Sequence, residues 1–160
     1  MKYIGIAAML LSALLFSREY SRYMKKRLSE CEGFLSFMSH IRIQIGCFLK
    51  PSRELCDGFS NDALSDCGFI DELRSTGDIY GAYKNAEPRL AMSCEAREIS
   101  DNLFSALGAG YREDGVRLID ESEKKMQKIC DELRASTPKS VRLALTLSVT
   151  AVLGFSILII

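Results

Sequence analysis

Apolar residues recur every three or four positions along two long stretches of the chain, the spacing of an amphipathic α-helix. In the first stretch, residues 18–48, the repeating apolar positions are Leu28, Cys31, Leu35, Met38, Ile41, Ile45 and Phe48. Phe34 and Phe37 widen this apolar face, and the opposite face carries Lys26, Glu30, Glu32, Ser36, Ser39 and Arg42. The pattern predicts one long helix that packs against more than one neighbour and keeps Glu30 on its solvated face.

The second stretch covers residues 111–136 and has apolar positions at Val116, Ile119, Met126, Ile129, Cys130 and Leu133. Glu123 interrupts this stripe, and acidic and basic residues are mixed around it. Mixed charges of this kind are typical of the solvated exterior of a coiled coil. The pattern therefore predicts a second long helix.

Turn and cap signals divide the rest of the chain into shorter helices. In chain order they are Pro51, Asn61-Asp62, Gly77-Asp78, Pro88, Gly108, Gly110 and Pro138. Prolines can open a helix in its first turn, Asn and Asp can cap it, and glycine can end it. We expect helices to open at Pro51 and Pro88 and a joint at Pro138. Because no alternating strand pattern competes with these helices, the sequence predicts an all-α fold.

An uncharged apolar block occupies residues 3–16, between Lys2 and Arg18. It is shorter than the roughly 20 residues that a helix needs to cross the hydrocarbon of a bilayer. An uncleaved membrane anchor is the favoured interpretation, since long basic side chains at its ends can reach the interface. A cleavable signal peptide and a buried soluble helix are the alternatives, but the following residues make a poor cleavage site.

A second uncharged block runs from Leu143 to Ile160 and has the length and apolarity typical of a membrane-spanning helix. A signal for a lipid anchor is a less favoured alternative. The basic residues that flank the two blocks on their inner sides are Arg18, Arg22, Lys25, Lys26, Arg27, Lys139 and Arg142. Lys and Arg near a span tend to remain in the cytoplasm. Both blocks therefore predict that the middle of the chain is cytoplasmic and that both termini point out.

The sequence therefore predicts three parts of the chain: an N-terminal membrane anchor (1–17), a cytoplasmic helical domain (18–138) and a C-terminal transmembrane helix (139–160). Two spans in one bilayer would make the two long helices antiparallel, and the shorter helices would fold over their far end. The basic run 22–27 could also attract anionic lipid of the bilayer.

Charge and candidate chemistry exclude several classes of function. Lys+Arg and Asp+Glu are equal at 21 each, so the chain lacks the cationic surplus of a general nucleic-acid binder. The sequence has six cysteines at irregular spacings and one histidine, His40, so we expect no metal site and buried thiols in a reducing cytoplasm. No hydrolase, NTPase or metalloprotease motif occurs, and we expect neither catalytic residues nor a cofactor.

The order of these segments, together with the sequence LFSALGAGYREDG at residues 103–115, resembles the stage III sporulation protein AB family across nearly the whole chain. The most specific part is Leu107-Gly108 followed by Arg112-Glu113-Asp114. Tyr111 and Gly115 depart from the family pattern, where Asp and Gln are usual.

The resemblance implies a non-enzymatic platform or adaptor in the membrane assembly that links mother cell and forespore. Its helical domain would be similar to the cytoplasmic domains of type II secretion F proteins. The implied partners are the secretion-type sporulation AA ATPase and other membrane components of the complex, in the mother-cell membrane around the forespore. Arg112, Glu113 and Asp114 are the candidate docking residues; helix initiation is their structural alternative. An exported, disulfide-bonded helical protein with a cleaved signal peptide is the main functional alternative.

Overall fold

A computed structural model describes residues 2–47, 58–108 and 115–159 of the chain. These residues form six α-helices in the order α1 (Lys2–Cys47), α2 (Asp62–Asp66), α3 (Phe69–Thr76), α4 (Ile79–Ala86), α5 (Cys94–Gly108) and α6 (Gly115–Ile159). A 3-10 turn, Glu87–Arg89, follows α4. The described part of the chain contains no strand, which confirms the all-α prediction.

The first long helix begins within the N-terminal apolar block and continues without a break to Cys47. The second long helix also continues, through Pro138, to Ile159. The predicted joint at Pro138 is therefore wrong. A proline removes one helical hydrogen bond without having to end the helix. The hydroxyl of Thr137, directly before the proline, donates to the carbonyl of Leu133 at 2.6 Å.

The short helices begin and end largely where their local signals predict. Asn61 caps α2, since its side chain accepts a hydrogen bond from the Leu64 amide at 3.2 Å. Gly77 ends α3 in the left-handed conformation, with φ of 67°. Asp78 caps α4 by accepting from the amides of Tyr80 and Gly81. The predicted helix at Pro51 lies outside the described residues.

The helix predicted to open at Pro88 begins later. Pro88 lies within the 3-10 turn, Leu90 is extended, and α5 starts only at Cys94. Ser93 accepts a hydrogen bond from the Ala96 amide at 3.3 Å, as a helix N-cap does. The residues between the turn and α5 are therefore free of helical hydrogen bonding, and the Ala91 amide is directed elsewhere, to Glu30.

The chain divides into two compact units. Unit 1 contains Met1–Lys25 and Glu132–Ile160, and unit 2 contains Lys26–Asp131. Each of the two long helices contributes residues to both units.

An aromatic cluster forms the core of unit 2. It contains Phe34 and Phe37 of α1, Phe59, Phe69 of α3, Tyr83 of α4 and Phe104 of α5. The ring centroids of neighbouring members lie between 5.1 and 6.2 Å apart, in mostly tilted or edge-to-face arrangements, which are favourable for aromatic pairs. Each of these elements thus buries at least one aromatic side chain at the same centre.

Gly33 allows α2 to approach α1 closely. A Cβ atom at this position would lie 2.9 Å from Asn61 Oδ1 and 3.0 Å from Leu64 Cγ. Because Asn61 Oδ1 is also the capping acceptor of α2, a larger residue at position 33 would disturb the start of that helix.

The contacts within unit 2 establish the relative direction of α1 and α6. Cys31 contacts Cys130, Ser39 contacts Glu123, and Arg42 contacts Asp120. Residue numbers rise along one helix as they fall along the other, so the two helices run antiparallel in this unit.

Unit 1 exposes many large apolar side chains on both of its helical segments. The leucine and phenylalanine side chains between about half and two thirds exposed are Leu11, Leu14, Leu15, Phe16, Leu143, Leu145, Leu147 and Leu153. Within residues 2–47, 58–108 and 115–159, no helix combines the length and the apolarity that a membrane crossing requires.

Candidate functional site

The candidate docking residues Arg112, Glu113 and Asp114 lie outside the described residues, between the end of α5 and the start of α6. The structure instead defines a polar network in the first turns of α6, a few residues further along the chain. The Ser39 hydroxyl donates a short hydrogen bond to Glu123. Arg42 pairs with Asp120 at 3.2 Å and with Glu123 at 3.4 Å.

This network joins the polar faces of the two antiparallel helices. The sequence pattern placed Ser39 and Arg42 on the solvated face of α1 and treated Glu123 as an interruption of the stripe on α6. The structure explains that interruption, because Glu123 is an interhelical partner for both residues. Part-exposed pairs such as these stabilise a fold by about 1 kcal/mol or less, so they serve mainly to align the helices.

The basic residues that flank the apolar blocks separate into groups. Arg18, Arg22 and Lys25 line a common groove on unit 1, opposite Val141 and Leu145. Arg22 also pairs with Glu19, 3.2 Å away on the same helix, and both of these side chains are largely exposed.

The other flanking cations are not among the residues that line this groove. Lys26 and Arg27 belong to unit 2, where Lys26 contacts Glu30 and Arg27 is half-buried. Lys139 and Arg142 are exposed on α6. Of the seven basic residues, three therefore line the groove and four do not.

Glu30 is the residue for which the sequence-based expectation is wrong. It was expected on the solvated face of α1, but its side chain is completely buried in unit 2. Its Oε2 accepts a hydrogen bond from the Ala91 amide at 2.6 Å, and its Oε1 lies 3.6 Å from Lys26 Nζ. Glu30 thus attaches the extended segment before α5 to the first long helix.

Burial raises the pKa of the Glu30 carboxyl above its ordinary value, because removal from water disfavours the charged form. The Ala91 amide and the Lys26 ammonium act in the opposite direction, since both stabilise the carboxylate. Lys26 Nζ also donates to the Arg89 carbonyl at 3.4 Å, and Arg97 donates a short hydrogen bond to the Leu90 carbonyl. The side chains of Lys26, Glu30 and Arg97 thus each form a hydrogen bond with the backbone of residues 89–91.

The described cysteines form no disulfide. Cys31, Cys67 and Cys130 are buried and Cys94 is exposed. The pKa of the Cys31 thiol is raised by its hydrogen bond with Cys130 and by burial, and burial raises that of Cys67. Raised pKa values leave little reactive thiolate at these two positions.

Candidate chemistry is sparse in the part of the chain that the structure describes. His40 packs its ring against Phe59, with the centroids 5.3 Å apart. No group of three His, Cys, Asp or Glu residues among the described positions is arranged to hold a metal ion.

The described residues are therefore all-helical, and in unit 2 antiparallel segments of the two long helices and four short helices surround an aromatic core. A family model for stage III sporulation protein AB matches residues 2–160, and the chain belongs to that family. Membership implies a role in stage III of sporulation. A search of curated proteins and a search of solved structures each found no significant match.

Proposed function

We propose that this protein is a non-enzymatic membrane adaptor of the stage III sporulation complex. Its apolar terminal segments would lie in the mother-cell membrane around the forespore, and its helical domain would face the cytoplasm. The observation that carries this proposal is the exposure of large apolar side chains on both helical segments of unit 1.

Exposed apolar area of this extent needs a cover, either lipid or the apolar helices of a partner. In unit 1 it coincides with the two uncharged blocks of the sequence, residues 3–16 and 143–160. The inner flanks of both blocks carry the basic residues expected on the cytoplasmic side of a membrane. These features support anchoring at both ends with the middle of the chain in the cytoplasm.

Cys94 provides a direct test of this orientation, because it is an exposed thiol at the start of α5. We expect a membrane-impermeant maleimide to label Cys94 only after the cells are permeabilised. The matched control is Cys94→Ser, and the labelling lost in this variant is the part due to Cys94. Labelling of Cys94 in intact cells would contradict the cytoplasmic orientation and favour the exported, signal-peptide alternative.

We further propose that the helical domain docks the secretion-type sporulation AA ATPase and that the apolar segments contact other membrane components of the complex. This proposal follows from the resemblance to type II secretion F proteins. The docking surface would include Arg112, Glu113 and Asp114. The polar network of Ser39, Arg42 and Glu123 supports it indirectly, because it aligns α1 with the first turns of α6, which begins directly after Asp114.

The docking role predicts that Arg112→Ala and Asp114→Ala each weaken ATPase binding by about tenfold, the effect of losing one charge-assisted contact of about 1.4 kcal/mol. The measurement is binding of the purified ATPase to the full chain in detergent, together with thermal unfolding of each variant. Arg117→Ala is the matched control, since Arg117 is largely exposed and pairs with Glu121 on its own helix. A lowered melting temperature with unchanged ATPase affinity would instead assign these residues to helix initiation.

A further inference from the structure

Unit 1 contains an open groove of about 380 Å³ between the N-terminal part of α1 and the C-terminal part of α6. Along α1 its wall consists of Leu14, then Ser17 and Arg18, then Ser21 and Arg22, and finally Lys25. These residues recur at spacings of three and four and therefore lie on one face of the helix. At 1.5 Å per residue this face is about 16 Å long.

The wall changes in chemistry along its length. Leu14 belongs to the apolar block of α1, and Leu145 faces the groove from the apolar block of α6. Arg18, Arg22 and Lys25 follow directly after the apolar block of α1, accompanied by two serine hydroxyls. The groove thus combines aliphatic surface with cations and hydroxyl donors. None of its lining residues is acidic, and Arg22 also pairs with the largely exposed Glu19 on the same helix.

This combination matches a molecule that has an anionic head and an apolar body. A phosphate group is suited to two arginines and two hydroxyls, because guanidinium and hydroxyl donors bind its oxygens directly. An inorganic phosphate ion would use these donors but would leave the aliphatic part of the groove uncovered. An acyl chain would cover it.

We propose that this groove binds one anionic phospholipid, with its phosphate held by Arg18, Arg22 and the serine hydroxyls and its acyl chain against Leu14 and Leu145. Lys25 adds a third positive charge at the head-group end. The inference rests on the proposed membrane association and deepens it. It assigns a defined lipid site to three of the seven flanking cations and none to the others.

The test compares two double variants that remove the same charge. Arg18→Gln/Arg22→Gln changes the groove, whereas Lys139→Gln/Arg142→Gln removes two exposed cations outside its lining. The full chain is reconstituted in vesicles of phosphatidylcholine with or without phosphatidylglycerol and extracted in mild detergent, and the retained lipid is measured by mass spectrometry. We expect the groove variant to retain about tenfold less phosphatidylglycerol than wild type and the control variant to retain the wild-type amount.

Equal losses in both double variants, or no loss in either, would overturn the groove site, as both results mean that the groove does not select the lipid. Displacement of phosphatidylglycerol by millimolar inorganic phosphate would overturn it as well, because the apolar part of the groove would then contribute nothing to binding.

Flotation with phosphatidylcholine vesicles distinguishes failure of the groove site from failure of the proposed membrane association. Flotation without selectivity for phosphatidylglycerol removes only the groove site, while loss of flotation removes the membrane association itself.

Discussion

Replacing Phe104 by Ala is expected to lower the free energy of unfolding by about 4 kcal/mol and the melting temperature by about 10 °C. Phe104 is completely buried in the core of unit 2. Its ring centroid lies 5.3 Å from that of Tyr83 and about 6 Å from those of Phe34, Phe37 and Phe69. Truncation would therefore open a cavity beside four aromatic rings contributed by three other helices.

Thermal unfolding of the full chain in a mild detergent, followed by near-ultraviolet circular dichroism, measures this effect. Two controls bracket it. Phe104→Leu keeps most of the volume and should cost about 1 kcal/mol. Ile43→Ala removes an exposed apolar side chain from α1 and should change stability by less than about 0.5 kcal/mol. A Phe104→Ala variant as stable as Ile43→Ala would show that the aromatic cluster is not the core of this unit.

Replacing Glu30 by Ala is expected to lower the free energy of unfolding by about 2 kcal/mol, because the part-buried Ala91 amide would lose its acceptor. The loss should be accompanied by release of the extended segment before α5. Hydrogen exchange at Ala91, measured by mass spectrometry on peptides covering residues 87–93, should become faster. Glu30→Gln is the matched control, since an amide oxygen can still accept from Ala91.

The stability of wild type compared with that of Glu30→Gln should depend on pH, and the sign of this dependence follows from the raised pKa of Glu30. The folded protein holds this proton more tightly than the unfolded chain, whose Glu30 titrates near its ordinary pKa of 4.5. The protonated carboxyl therefore contributes full stability below about pH 4.5, and that contribution is lost as the pH rises through the higher folded pKa.

Glu30→Gln does not titrate, so its stability relative to wild type should increase between pH 4.5 and neutrality. The measurement is chemical denaturation of both proteins across this range. The quantity compared is the free energy of unfolding of Glu30→Gln minus that of wild type. A value that stays constant, or that falls as the pH rises, would falsify the assignment of a raised pKa to Glu30.

Local signals accounted for most of the helices. The spacing of Cys31, Met38 and Ile41 identified the buried face of α1, and all three are completely buried. Asn61, Gly77 and Asp78 identified helix boundaries because caps act through hydrogen bonds two or three residues away. The candidate docking residues were identified by resemblance alone, and the described residues do not include them.

The centre of the core was less predictable. The stripe of α1 was expected to run through Leu28 and Leu35, with Phe34 and Phe37 at its margin. The structure reverses this order, since both phenylalanines are completely buried and both leucines are only half-buried. Periodicity identifies an apolar face, but the position of the other helices decides which of its residues lies at the centre.

The sequence by itself determined the helical class, the two long helices, most of the caps and the concentration of apolar residues at both ends. These properties depend on interactions within one or two helical turns or on composition alone. Only the tertiary structure decided that Glu30 is buried and that α5 begins at Cys94 rather than at Pro88. The buried Glu30 accepts a hydrogen bond from the Ala91 amide in the extended segment before α5, and these two groups are 61 residues apart in the chain. A contact over that distance leaves no periodic or local signal, because it forms only when the helices pack.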